Sequence, residues 1–507
     1  MLSVFPDEIS VVDHLAAHCL GLDEETLIRR AGAAVAEEIA KRRGPTSVMI
    51  LCGGGNNGAD GYAAALSLSA MGYAVQAVDV FAKGQRSEGG RAVLAEYRAV
   101  LGAPLTLDEA FEREAEIYVD ALLGTGARYD LLTEEGLRIL SLLQEKNAFL
   151  VAVDLPLGVD AAYGRVAKKH LAVDLTVMLS YAKLGLLSYP AREACGELVL
   201  REMGLVLPEI TAQITTHLIA DDEYVKNTLP KRKKNTHKGS FGRVALVAGS
   251  QKYRGAALLA AEGAARMGVG YVSLYTEETV LSFVGRRRPE LLFEAAPSSA
   301  LWTEEDIGCL ACALSAAGAV VLGPGCGGTD GILRLAECLL RTEGAPLVLD
   351  ADALNVLARS ADRGRELLKN ARRHVCLTPH PTELSRLTGY TTAAIQSDRM
   401  AVAMEYARET GVFLLLKGAS TVITDGQTVS VNLSGSSALA KGGSGDVLAG
   451  MVGALLAQGA APLDALRMGA YLHGRAGEAL AETRSEYGVL PSELPLAVAR
   501  EIKRILD

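Results

Sequence analysis

No run in this 507-residue chain reaches the ~18 apolar residues of a membrane span, so no membrane partner is expected. Positive charge is in deficit. The 51 Lys and Arg against 60 Asp and Glu leave a net charge of −9, the wrong balance for a nucleic-acid partner. The pattern Gly-x-x-x-x-Gly-Lys-Ser/Thr does not occur, which excludes the P-loop fold. Short internal repeats and low-complexity tracts are missing too. Residues 1–8 contain no basic region followed by an apolar core, so no secretory signal is read and a cytoplasmic location is expected. The eight cysteines are scattered, as expected of reduced thiols in a reducing compartment. The one close pair, Cys309 and Cys312, has no second pair to complete a metal site; small core residues on a helix are expected there.

What is abundant is glycine, 53 residues, and aliphatic sequence, with hydrophobic residues at 49% but aromatics at only 5%. That composition suits a glycine-turned parallel α/β protein, and the length requires more than one core. After an amphipathic helix through Leu27, Ala31, Val35 and Ile39, apolar runs alternate with helical stretches. Runs are read at Val48–Cys52, Val75–Phe81, Ile117–Leu123, Phe149–Asp154, Leu175–Leu179 and Glu197–Leu200. The rhythm breaks after Ala220 into Asp221-Asp222-Glu223, a Pro230 turn and the basic run 231–234, read as a solvated linker. A second βα series begins at Arg243, with later strands read at Tyr271–Tyr275, Ala319–Leu322, Pro346–Leu349, Val375–Thr378 and Val412–Lys417. The expected division is therefore 1–220 and 221–507.

The first half concentrates its chemistry in residues 53–61, directly after an apolar run. Gly53-x-Gly55-x-x-Gly58, with Asp79 closing the next strand about twenty residues on, fits the dinucleotide fingerprint. Asn56, Asn57 and Asp60 in the same loop add two carboxamides and an acid, which suit a cation or a sugar hydroxyl better than a phosphate. Asp120 with Gly124-Thr125-Gly126, and Asp154-Leu155-Pro156, close two later runs. Ligands of open parallel sheets bind beyond the carboxyl ends of strands, so these loops are expected to share one crevice.

In the second half the motifs are His237-Lys238-Gly239, Gly249-Ser250, 253–256, Gly323-Pro324-Gly325, 350–355, 378–383, 417–421 and 442–446. Singly each reads as a turn or a cap; together, in order and at strand ends, they do not. Gly442-Gly443-Ser444-Gly445-Asp446 opens a helical stretch, so its amides form an anion hole beside a carboxylate. That is an arrangement for phosphoryl transfer, with Asp446 taking the proton of an attacking hydroxyl.

With these residues in place the chain resembles the bifunctional NAD(P)H-hydrate repair enzymes over about residues 5–500. The first half resembles their epimerase domain and the second their ribokinase-like dehydratase domain. The resemblance implies an α/β fold of two three-layer domains, Rossmann-like (1–220) and ribokinase-like (221–507). It implies that Asn56, Asn57, Gly58, Ala59 and Asp60 hold the hydrate, that Gly124, Thr125, Gly126, Ala127, Arg128, Tyr129 and Asp130 wrap the nucleotide, and that Asp154 contacts the damaged ring. Asn57, Asp120 and residue 157 would bind K⁺. The family pattern Asp-x-Pro-Ser-Gly reads here Asp154-Leu155-Pro156-Leu157-Gly158, so only the main chain of Leu157 could serve. In the second half Ala256 or its neighbour, Gly325, His380 and Asp446 would contact the hydrate, while Lys417, Gly418, Ala419, Ser420, Thr421 and Gly445 would hold ADP or ATP, with Mg²⁺. The family's Gly-Asn-x-Gly-Met-Ala is replaced by residues 435–440, Gly-Ser-Ser-Ala-Leu-Ala.

The implied activity is repair of hydrated NADH and NADPH: epimerisation of the R and S hydrates, and nucleotide-dependent dehydration of the S hydrate. Asp154 and Asp446 would be the catalytic groups, the partner a small-molecule substrate, and the assembly a homo-oligomer. Two rivals remain at this point. A ribokinase-like small-molecule kinase shares Asp446 and the anion hole but leaves the first half unexplained. A non-catalytic dinucleotide-binding scaffold explains the glycines but not Asn57, Asp60 and Asp120.

Overall fold

The computed structural model describes residues 2–80, 86–126, 129–130, 132–296 and 298–507. The chain forms two compact units, Leu2–Leu218 and Ile219–Asp507.

The strands of the first unit are β1 (Leu2–Val4), β2 (Ser47–Cys52), β3 (Ala74–Asp79), β4 (Ile117–Ala121), β5 (Phe149–Val153), β6 (Leu175–Leu179), β7 (Ala182–Lys183), β8 (Glu197–Arg201) and β9 (His217–Leu218). Six form a parallel sheet in the order β3-β2-β4-β5-β6-β8. The order reverses between β2 and β4, which opens a crevice at their carboxyl ends. The apolar runs are unbroken because both faces are covered. Val48, Ile50 and Cys52 enter one apolar cluster, while Met49 and Leu51 enter the other. A separate three-stranded sheet, β7-β1-β9, joins the beginning and end of the unit. Three helices matter for the site: α1 (Pro6–Leu20), α2 (Glu24–Ala40) and α3 (Asn56–Ala70). Asp23 caps α2 by accepting from the Thr26 amide over 2.8 Å, and Ile28, Ala31, Val35 and Ile39 are buried along its inner face.

The second unit contains β10 (Arg243–Val247), β11 (Tyr271–Glu277), β12 (Leu292–Ala296), β13 (Ala319–Leu322), β14 (Leu347–Leu349), β15 (Val375–Leu377), β16 (Phe413–Leu416), β17 (Thr421–Thr424) and β18 (Val429–Asn432). They form one nine-stranded sheet, β12-β11-β10-β13-β14-β15-β16-β17-β18, parallel from β12 to β16 and antiparallel at the β17 and β18 end. Helices Arg254–Arg266 and Ser444–Ala457 pack at backbone distance because glycines stand at their crossing. A Cβ on Gly450 would lie 1.9 Å from the Ala260 carbonyl oxygen, and one on Gly263 would lie 2.4 Å from that of Val447.

One expectation fails. Cys309 and Cys312 do lie on a helix, Glu304–Leu314, but both are exposed; that helix buries Ile307 and Leu314, which leaves the thiols facing solvent.

Candidate active sites

In the first unit two glycines of the β2 loop, Gly53 and Gly58, are demanded by close packing, whereas a Cβ on Gly55 would meet nothing within 4 Å. A Cβ on Gly53 would sit 1.9 Å from the Leu122 carbonyl oxygen, and one on Gly58 would sit 1.9 Å from that of Gly53. The turn so formed starts α3 at Asn56. Asn56 is held from both sides, its Nδ2 donating to Glu24 Oε1 over 3.2 Å and its Oδ1 accepting from Ser87 Oγ over 3.2 Å. Asn57 Nδ2 donates to the Leu123 carbonyl over 2.9 Å, tying the α3 terminus to the loop after β4. Asp79, the acid of the fingerprint, is ion-paired with Arg86.

Asp120 is 1% exposed. Its Oδ1 accepts from the Leu122 amide over 3.1 Å and its Oδ2 from the Leu157 amide over 2.8 Å. Burial nonetheless pushes it up to about 6, because no cationic side chain faces it among the described residues. Leu157 thus meets Asp120 through its N–H, and its carbonyl accepts from the Leu171 amide over 2.9 Å. Asp154 has a left-handed backbone, φ 68°, a strained conformation for a residue other than glycine. Its Oδ1 accepts from the Leu179 amide over 3.2 Å and is ion-paired with Lys183, itself 1% exposed.

Asn56, Asn57, Leu157, Asp154 and Lys183 line two adjoining cavities, whereas Asp120 borders neither. One, of about 1100 Å³, runs along Gly54, Gly55, Leu157 and Tyr163; the other, of about 310 Å³, contains Asp60, Asp154 and Lys183. Asn56, Asn57, Gly124 and Thr125 border both. Burial raises Asp60 well above the ordinary carboxyl range, and the charges of Asp154 and Asp13 raise it further. Gly126 borders the larger cavity. The Arg165 guanidinium stacks 5.3 Å from the half-buried Tyr129 ring, and Asp130 is exposed; Gly58 and Ala59 are buried in α3. Ala127 and Arg128 lie outside the described residues. Sequence reasoning missed Lys183 and Asp13. The signal for Lys183 was a lone cation within the apolar stretch 175–187.

In the second unit, strand ends again bring the motifs together. Gly323 has φ 126° and a Cβ there would lie 1.9 Å from the Asp350 carbonyl oxygen. Gly325 has φ 62° and a Cβ there would lie 2.7 Å from that of Ala256, so those two residues are neighbours. Lys417, after β16, donates to Asp350 Oδ1 over 2.8 Å and stands 3.9 Å from Glu383 Oε2. Burial lowers its pKa, but the two carboxylates outweigh burial and hold it above the ordinary value. A Cβ on Gly445 would stand 3.3 Å from Lys417 Nζ, so the ammonium lies beside the amides that open helix Ser444–Ala457. Asp446 in that first turn is pushed up to about 7, chiefly by burial and then by Asp350, against the pull of Lys417.

His380 caps helix Pro381–Thr388, its Nδ1 accepting from the amides of Thr382 and Glu383 over 3.1 and 3.3 Å. Burial and then Lys417 lower its pKa, which suits a ring nitrogen that must stay an acceptor. The Gly418 turn, φ 145°, is supported from beneath by Arg399, which donates to the Leu416 and Lys417 carbonyls over 3.2 and 3.1 Å. Ala419 is exposed, Ser420 has φ 50°, and Thr421 Oγ1 closes the turn on the Gly418 carbonyl over 3.0 Å. Glu383 stood in the 378–383 motif without a role of its own, and Arg399 and His473, a 7% exposed histidine bonded to the Ser444 backbone, were not singled out from sequence.

A doubly wound sheet with a carboxylate-lined chamber, in one chain with a ribokinase-like sheet whose strand ends converge on an anion hole and a buried carboxyl group, defines a two-unit nucleotide-linked α/β enzyme. The comparisons are specific. Residues 244–500 match the NAD(P)H-hydrate dehydratase family model, and residues 24–185 match that of the YjeF-related protein N-terminus. The chain is 35% identical to a bifunctional NAD(P)H-hydrate repair enzyme of Thermofilum pendens, over 95% of this chain and 92% of that one. It is 32% identical to the one from Escherichia coli, over 97% and 92%. It therefore belongs to the bifunctional NAD(P)H-hydrate repair enzyme family. A crystal structure of the ADP/ATP-dependent NAD(P)H-hydrate dehydratase from Bacillus subtilis, co-crystallised with ATP and Mg²⁺, is 32% identical with a TM-score of 0.50, covering 57% of this chain and 99% of that one.

Proposed function

We propose that the chain repairs hydrated NADH and NADPH, residues 1–220 interconverting the R and S hydrates and residues 221–507 dehydrating the S hydrate with ADP or ATP. What supports the second activity is the place of Asp446, a carboxyl group in the first turn of helix Ser444–Ala457 beside the Lys417 ammonium, pushed up to about 7 chiefly by burial. Asp446 takes the proton of the ring hydroxyl as its oxygen attacks the terminal phosphorus of the nucleotide. The new ester then breaks at carbon, phosphate leaves, and loss of a proton from the adjacent ring carbon restores the double bond. Hydroxide is a poor leaving group and phosphate a good one, which is why a nucleotide is consumed.

Ala256, Gly325 and His380 would hold the hydrate, and residues 417–421 with Gly445 the nucleotide. Asp350, Asp352 and Glu383 act electrostatically on Asp446, opposed by the Lys417 ammonium. Among the described residues no three of His, Cys, Asp or Glu converge as a metal site of their own; Mg²⁺ would arrive on the nucleotide phosphates, where these carboxylates would offer hard oxygens and the ion would neutralise the charge of the transferring group. In the first unit no cationic side chain faces buried Asp120 among the described residues; K⁺ there would be held by Asp120, the Asn57 carboxamide and the main chain of Leu157, although Leu157 turns its N–H to Asp120 and its carbonyl accepts from the Leu171 amide. The ring would enter the smaller chamber beside Asp60 and Asp154. Among the described residues no helix is long and apolar enough to cross a membrane. A cytoplasmic homo-oligomer without nucleic-acid or membrane partners completes the reading. Separated R and S hydrates, each offered with ADP and with ATP, test it: the S hydrate should be consumed directly and the R hydrate only after epimerisation. Equal consumption of a hydrate without nucleotide would overturn the dehydratase assignment.

A further inference from the structure

The 310 Å³ chamber contains an acid that the reading above leaves idle. Asp13 hangs from α1, ahead of the doubly wound core, and borders both cavities where they meet. Asp120, a carboxylate with a structural anchorage, is held by two backbone amides. Asp13 has no such anchorage among the described residues. The groups that act on it are charges: Lys183 of β7, Asp154 beyond β5 and Glu24 of α2, with Asp60 of α3 coupled to it in turn.

The chemistry of the reaction calls for a second acid. Water added across an enamine double bond leaves the hydroxyl on the ring carbon bonded to nitrogen. To invert that carbon, the nitrogen lone pair forms C=N as the C–O bond breaks, and the hydroxyl takes a proton and departs as water. A second water then adds to the opposite face and gives up a proton, while the C=N electrons return to nitrogen. Acid and base therefore stand on different faces of the ring, and they exchange roles between the R-to-S and S-to-R directions.

We propose that Asp13 and Asp154 are this two-sided acid–base pair, with Asp13 the catalytic residue supplied by α1. The proposal rests on the first unit being the epimerase. Asp13 is exposed at the edge of the chamber, and desolvation on its chamber side raises its carboxyl; Lys183 opposes, and Asp154 and Glu24 add to the rise. The positive charge that develops on the ring meets the carboxylates of the chamber. A pyrophosphate would be repelled from the same place and belongs in the larger cavity, beside the α3 terminus.

The test uses the full chain without ADP or ATP, pure R hydrate, and water enriched in oxygen-18. Wild type should form S hydrate faster than the uncatalysed reaction, with one solvent oxygen incorporated per conversion. Asp13→Asn should lower kcat by about 10²–10⁴-fold with little change in KM, and Asp13→Glu, which keeps the carboxyl group, should recover part of the loss. An Asp13→Asn variant within about threefold of wild-type kcat, or one altered in KM alone, overturns the role of Asp13. Product that keeps its original oxygen overturns the route. A wild-type rate equal to the uncatalysed one removes the epimerase reading itself, before any variant is compared.

Discussion

Lys417 Nζ and Asp350 Oδ1 lie 2.8 Å apart at the carboxyl ends of β16 and β14, so the pair reaches across the end of β15, which separates those strands. Glu383 approaches from the far side and Gly445 from the adjacent helix terminus. The ammonium is thereby fixed by protein carboxylates before any nucleotide arrives.

Removing that ammonium leaves buried carboxylates uncompensated. Lys417→Met should destabilise the second unit by about 3–5 kcal/mol, and adding Asp350→Asn to it should restore part of the loss. Denaturant unfolding of the single and double variants measures this; additive losses would mean that the pair is not coupled.

Asp446→Asn keeps the shape of the side chain and removes the base. Nucleotide-dependent dehydration should fall by ~10²–10⁴-fold while nucleotide binding survives. Because the group must be ionised to act and titrates at about 7, wild-type kcat/KM should decline as pH falls through that value. A variant within tenfold of wild type, on the scale of about 10² expected of a lost base, would exclude Asp446 from the role.

His473 is buried and bonded to the Ser444 backbone, and burial lowers it to about 4. The unfolded chain, with an ordinary histidine pKa, binds the proton more tightly, so stability is complete above about 6.5 and is lost as pH falls toward 4. The whole shift corresponds to about 3 kcal/mol. Thermal melts of wild type and His473→Gln between those pH values should converge at the acid end; parallel curves would show that His473 does not titrate with unfolding.

Leu157 holds Asp120 through its amide, a contact any residue could make. Leu157→Ser should therefore leave that contact intact and add a hydroxyl ligand, strengthening the potassium dependence of R-to-S conversion. The measurement is the rate of each protein titrated with potassium chloride. A wild-type rate no faster than the uncatalysed one, restored by Leu157→Ser, would leave this chain with the dehydratase activity alone.

The parts of the fold legible in sequence are those where composition changes sharply along the chain. Apolar runs ending in Asn, Asp or Gly mark β2, β4, β5, β13, β14 and β16, and the loops after them line the sites. What escaped depends on partners distant in sequence. β1, β7 and β9 are two or three residues long and exist only by pairing with one another, so Lys183 had no local periodicity to announce it. β12 is half exposed and β17 and β18 follow a motif already read as a nucleotide loop, so neither appeared as a strand. α1 was missed because its apolar and charged residues alternate too irregularly to mark a face, and Asp13 was lost with it.

In the small sheet, Val4 pairs with Lys183, Ser3 pairs with His217, and Ser3 Oγ donates to the His217 carbonyl over 2.9 Å. The strand that borders the buried ammonium is thus clasped by the last residues of its own unit. β1 finds its partners at residues 182–183 and 217–218, so the small sheet closes only when nearly the whole unit is present. A change that unseats β1 would therefore reach Lys183 and the smaller cavity it borders before it reached the six-stranded sheet.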